Sequence, residues 1–135
     1  MLTQHENMKK ADALRRINKH CADTKLNGTN TLFSNINNTQ HVWWFNIPLW
    51  KITNSGQEHL HFVCYDRRFY VLHHLKIPTT YLQQHLEKPN NLRVREDREV
   101  ANLEWGIEAA DRFIDRASGC QFAEFHCCQM SCEHA

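Results

Sequence analysis

Glycine and proline are scarce in this chain, with four and three residues among 135. Four scattered glycines cannot build a glycine-rich phosphate loop, which closes that route to nucleotide chemistry. Long apolar runs are missing too, and no segment approaches the length of a membrane span. Nor is there an excess of one charge. Sixteen Lys and Arg stand against fifteen Asp and Glu, a formal net charge of +1, so nothing draws the whole chain toward nucleic acid or membrane. The opening segment Met1–Asn7 has no basic region followed by an apolar stretch, so no signal peptide is expected. On that reading the chain is cytoplasmic and its six cysteines are reduced thiols.

What the chain does have is aromatic density in one place. Val42–Trp50 holds three of the four tryptophans. Successive side chains point to opposite faces of a strand, so Trp43 and Trp44 must lie on opposite sides of any sheet containing them. Three strands are expected, at Val42–Ile47, Leu60–Tyr65 and Phe69–Ile77, all rich in aromatic and β-branched residues. Asp66-Arg67-Arg68 is short enough to join the last two as a hairpin. Trp44 and Phe62 sit centrally in these strands and are the expected stability anchors.

Thr3-Gln4-His5-Glu6 fits a capping box, and Met8, Ala11, Leu14, Ile17 and Cys21 follow as one helical stripe. Residues 27 to 40, rich in Asn and Thr, read as loop. A short helix is expected from Thr80, and Leu92-Arg93-Val94-Arg95 alternates as a strand does. Val100, Leu103, Ile107, Ala110, Ile114 and Ala117 follow the helical period, which favours a helix over 97–117, with a strand over 100–107 leading into a shorter helix as the alternative. Phe122, Phe125, Cys128 and Cys132 form a weaker final helical stripe. The expected fold is α+β in one domain over 1–135, with a C-terminal tail at 120–135 that is a candidate for flexibility. Its single, mostly antiparallel sheet has about four strands, helices pack mainly on one face, and the order is α-β-β-β-α-β-α. Opposed tryptophans need cover on both faces, and a homodimer is the expected way to supply it.

Two clusters have chemical character. His59, His61, His73 and His74 fall in the hairpin, where two strands with matching faces would present a pair of imidazoles to a ligand. His126-Cys127-Cys128-Gln129-Met130-Ser131-Cys132-Glu133-His134 holds three cysteines and two histidines, yet no Cys-x-x-Cys spacing, so no structural zinc is expected. Arg67 and Arg68, with Arg93, Arg95 and Arg98, would offer phosphate contacts beside Tyr65, Tyr70 and Trp50. Glu96, Asp97 and Glu99 dilute that surface, so nucleic acid is not the favoured partner. The candidate binding residues are Trp43, Trp44, Trp50, His61, His74, Arg67 and Arg68. No cofactor, metal or catalytic residue is expected.

Asn30-Thr31-Leu32-Phe33-Ser34-Asn35-Ile36-Asn37, then Val42–Pro48, then Leu75-Lys76-Ile77-Pro78, resembles small proteins carried on bacterial mobile gene (integron) cassettes. The resemblance implies a compact bacterial protein with an accessory role and carries over no site residues. The order helix, three strands, helix, strand is also similar to the core of restriction-endonuclease-like nucleases, which hold a metal with an Asp and a Glu-x-Lys on adjacent strands. Here Asp66 and His74-Leu75-Lys76 stand in those places. His74 in place of Glu removes a hard oxygen ligand. The favoured function is therefore a non-catalytic binding or interaction protein, and the alternative a metal-dependent nuclease or hydrolase with a degenerate core.

Overall fold

The computed structural model describes residues 6–21, 25–87 and 92–132. In chain order the elements are α1 (Lys10–His20), β1 (Thr31–Asn35), β2 (Val42–Pro48), α2 (Leu49–Thr53), β3 (His59–Asp66), β4 (Val71–Pro78), α3 (Thr79–Glu87), β5 (Arg93–Arg95), β6 (Val100–Gly106) and β7 (His126–Ser131). The fold is α+β, but the single antiparallel sheet is replaced by two. A four-stranded sheet runs β1-β3-β4-β7 and a three-stranded sheet runs β2-β6-β5. The first is mixed, because β1 lies parallel to β3, from Thr31 opposite His61 to Asn35 opposite Tyr65.

Three corrections follow from pairings that composition hides. Thr31–Asn35 has the residues of a loop, yet Thr31 and Ser34 are buried and the segment is held by β3. Val100–Gly106 is a strand, placed between β2 and β5, not the start of a helix. Residues 108–117 are not helical either: isolated bridges join Trp105 to Asp115 and Gly106 to Arg112. Buried Asp115 fixes this turn, accepting from Glu104 N at 2.8 Å and from Ser118 N at 3.1 Å. The third is the final stripe, which is strand β7, antiparallel to β4. At the other end, the proposed capping box starts at Thr3, outside the described residues, and α1 begins only at Lys10.

The layers stack as three-stranded sheet, four-stranded sheet, α1. Trp43, Phe45 and Ile47 of β2 and Leu103 and Trp105 of β6 meet Leu60, Phe62, Leu75 and Ile77 in the main core. On the opposite face of the larger sheet, Ala13 and Ile17 of α1 cover Val63, Tyr65 and Leu72. The alternation of β3 and β4 therefore sends His61, His74 and Lys76 to the α1 side, beside that cover. At one corner the sheets join, where Ile36 bridges to Trp43 and Trp44 N donates to Ser34 Oγ at 3.1 Å. Cys21, just past α1, is disulfide-bonded to Cys128 of β7, which corrects the expectation of six free thiols. Among the described residues no helix is long and apolar enough to cross a membrane.

Candidate functional site

The hairpin of β3 and β4 turns through Arg67–Tyr70, with Asp66 opposite Val71 and His61 opposite Lys76. His61 and His74 are thus diagonal neighbours on one face. Their rings meet, His61 Nδ1 lying 2.9 Å from His74 Nε2. Such a contact needs one N–H and one lone pair, so the pair cannot take a proton on both facing nitrogens. His74 is fully buried and His61 nearly so. Burial first, then the charge of Lys76 and the neighbouring His59, holds His61 at about 4, well below an ordinary imidazole. Burial, then His61, His126 and Lys76, holds His74 at about 4 as well.

His61 is the inner wall of a cavity of about 400 Å³. Lys25, Gly56, Gln57, Glu58, His59 and Lys76 form the rest. The residues from Gly56 to His59 are shared with a neighbouring cavity of about 650 Å³ that reaches α2 and α3. Gly56 takes a φ of 73°, the left-handed conformation that lets the chain turn sharply from α2 into β3 at the rim. Lys25, Lys76, His59 and His61 line the cavity, and Glu58 is the single carboxylate there among the described residues.

On its other side His74 meets β7. The β4–β7 register pairs His74 with Cys128 and Leu75 with His126, so Cys127 is the extra residue of a β-bulge. The exposed Cys127 has its Sγ 3.3 Å from His74 Nδ1 and 3.4 Å from His74 O. On the opposite face of β4, His73 Nδ1 lies 3.2 Å from His126 Nε2, enclosed by the rings of Trp43 and Phe113. Burial, then His126 and Arg112, holds His73 at about 4. Its surroundings are those of a core histidine.

Of the seven candidate binding residues, only His61 and His74 come together. Trp43 is in the core and donates its indole N–H to Tyr65 O at 3.0 Å. Trp44 lies on the outer face of the smaller sheet under Arg93, whose guanidinium is 5.6 Å from the ring centroid. Trp50, on α2, is 52% exposed and lines neither cavity of the His61 region. Arg67 holds loops together, donating to Asn7 Oδ1 at 3.1 Å and Ile36 O at 2.9 Å. Arg68 clamps Asp66 through both carboxylate oxygens, at 3.0 and 2.9 Å, and reaches Glu108 at 3.1 Å. Neither arginine is free to meet a phosphate. Sequence reasoning missed Lys25, Gln57 and Glu58, which carry no local signal, and weighed Cys127 only as one member of a tail cluster with a zinc or redox role. Among the described residues no group of three or more His, Cys, Asp or Glu is placed to hold a metal ion. No protein family, curated protein or solved structure matches the chain.

Proposed function

We propose that this chain is a non-catalytic binding protein with an accessory role, and that its ligand is a small anion held in the cavity at Lys25, His59, His61 and Lys76. One observation carries the reading. Four basic residues, Lys25, His59, His61 and Lys76, line one cavity in which Glu58 is the single carboxylate among the described residues. Burial first, then the nearby Lys76 and His59, holds His61 well below an ordinary imidazole. A carboxylate or phosphate would accept from the lysines and imidazole N–H groups and offset their repulsion. Because His61 is held low, an anion beside it raises its proton affinity, and by linkage binding tightens as pH falls.

The nuclease alternative has less support. Asp66 and Lys76 lie at opposite ends of the hairpin, about five residues or roughly 16 Å apart along the strands, and Asp66 is occupied by Arg68. Nor does the proposal call on a homodimer. Both faces of the larger sheet are covered by the chain itself, and the outer face of the smaller one sets polar pairs around Trp44, with Arg93 over its ring and paired to Glu104, and Asn102 bonded to Asn46. A cytoplasmic location has the Cys21–Cys128 bridge against it, since such bridges persist mainly in oxidising compartments. The cassette origin rests on resemblance alone.

The test is titration with inorganic phosphate and with succinate, followed by histidine ring NMR and calorimetry. Saturable shifts of the His59 and His61 rings are expected, with affinity rising from pH 7.5 to pH 6. Lys76→Gln should weaken binding about tenfold, the scale of one charge-assisted hydrogen bond. Histidine shifts that never saturate, or that are unchanged in Lys76→Gln, would sink the proposal.

A further inference from the structure

Three side chains on three strands form an unbroken row: Cys127 Sγ to His74 Nδ1 at 3.3 Å, then His74 Nε2 to His61 Nδ1 at 2.9 Å. The row starts at an exposed thiol on β7 and ends at the cavity wall on β3. We propose that Cys127 is a nucleophilic thiol, a site of mixed-disulfide formation with small disulfides, whose proton leaves through His74 to His61.

One set of tautomers carries a proton along the row, with the thiol turned to His74 Nδ1 and away from His74 O at 3.4 Å. With the thiol donating to Nδ1, neutral His74 carries its hydrogen on Nε2 and donates it to His61 Nδ1. Neutral His61 then carries its own hydrogen on Nε2. When Cys127 ionises, its proton passes to His74 Nδ1 and the Nε2 proton of His74 crosses to His61 Nδ1. His74 ends neutral in the other tautomer, and the positive charge appears on His61 at the cavity. Because burial holds His61 at about 4, this ion pair is transient, the neutral thiol is the resting form, and the relay acts as a general base only as attack proceeds. The thiolate attacks one sulfur of a small disulfide. A bond forms between that sulfur and Cys127, the sulfur–sulfur bond of the reagent breaks, and the second sulfur leaves as a thiolate that takes up the proton released by His61. Cys127 is oxidised and the reagent reduced.

The bulge makes the arrangement possible. Cys128, the regular partner of His74, is already spent in the bridge to Cys21, and the inserted residue turns a second sulfur toward the same imidazole. Other thiols are placed differently. Cys64 and Cys132 are buried, and burial raises both above the ordinary thiol range. Cys120, half-buried, has its Sγ 3.4 Å from His85 Nδ1. The charges facing the row are Lys76, His59 and His126, with Lys25 and Glu58 across the cavity. The relay shares His61 with the anion cavity but does not require the cavity to be filled.

The experiment uses the bridged, full-length protein without phosphate, treated with the neutral disulfide 4,4′-dithiodipyridine, and maps adducts by peptide mass. Cys127 is expected to react first, with Cys127→Ser removing the fast phase. His61→Gln leaves the Cys127–His74 contact in place. It should slow the Cys127 reaction about tenfold at pH 6.5 and much less at pH 8.5, where thiolate forms unaided. A purely structural effect of the substitution would not depend on pH in this way. Should His61→Gln fail to fold, ring ¹⁵N shifts of the wild type serve: blocking Cys127 as its methyl disulfide must change the shifts of both His74 and His61. Modification of Cys120 before Cys127, a wild-type rate in His61→Gln, or ring shifts that ignore the blocking group would each overturn the inference. Phosphate binding is read separately, so loss of one conclusion leaves the other standing.

Discussion

Trp43 is fully enclosed, stacks on Phe113 with ring centroids 5.6 Å apart and packs edge-on to His73. Its neighbour Trp44 points the other way and is only partly covered. Trp43→Ala should therefore cost about 3–5 kcal/mol of stability, while Trp44→Ala costs under about 2 kcal/mol. Urea unfolding of both variants checks this, and a larger loss for Trp44 would reverse the assignment of faces. That the two tryptophans oppose each other was readable from strand alternation. Which one faces the core was not, because that depends on the side from which the second sheet arrives. The histidines give the other prediction at this scale. His61, His73 and His74 are held at about 4, below the ordinary 6.5. Between those values the unfolded chain binds more protons than the folded one. Stability is then complete above about pH 6.5, falls as pH drops toward 4, and falls no further from this source below it. The slope is at most about 1.4 kcal/mol per pH unit per histidine, and less for His61 and His74, which share a contact. Chemical denaturation at pH 7, 6 and 5 should show the loss; a flat profile would mean these rings already titrate normally in the folded protein.

Strand β6 shows why an element can be misread while its residues are read correctly. Val100, Leu103 and Ile107 satisfy the helical period, but Ala101, Leu103 and Trp105 also alternate with Asn102 and Glu104, and the second pattern is the one that β2 and β5 complete. Gly106 carries the distinction. A Cβ there would come within 2.5 Å of Asp111 O, so the tight return after β6 tolerates no side chain. Gly106→Ala should cost more than about 2 kcal/mol and lower Tm by roughly 5–10 °C, far beyond a propensity effect. Calorimetry decides, and an unchanged or raised Tm would mean the loop has room to shift. The hairpin was more legible. Its strands lie close to where composition put them, although Phe69 and Tyr70 belong to the turn and β4 opens at Val71, which moves the register by two residues from that of the tightest turn. A shift of two keeps every side chain on its face, so His61 and His74 still meet. Lys25 and Cys127 were not legible as site residues, because both reach this face through distant chain segments.

Across the whole molecule, the pairings are mostly remote in sequence. Val42 lies opposite Gly106, Pro48 opposite Val100 and Leu72 opposite Met130, while β3 with β4 and β5 with β6 close through short turns. This places the site well: a locally formed hairpin supplies the two histidines, and its distant neighbours β7 and the segment at Lys25 add the thiol and a charge. The same layout matters during synthesis. A ribosome adding about 5–20 residues per second makes β2 several seconds before β6 exists. Through that interval Trp43, Phe45 and Ile47 have no second strand to lie against and no edge that is filled. The nascent chain therefore presents this tryptophan-rich segment to the cell before it can fold, and that segment is where a ribosome-associated chaperone would be expected to bind.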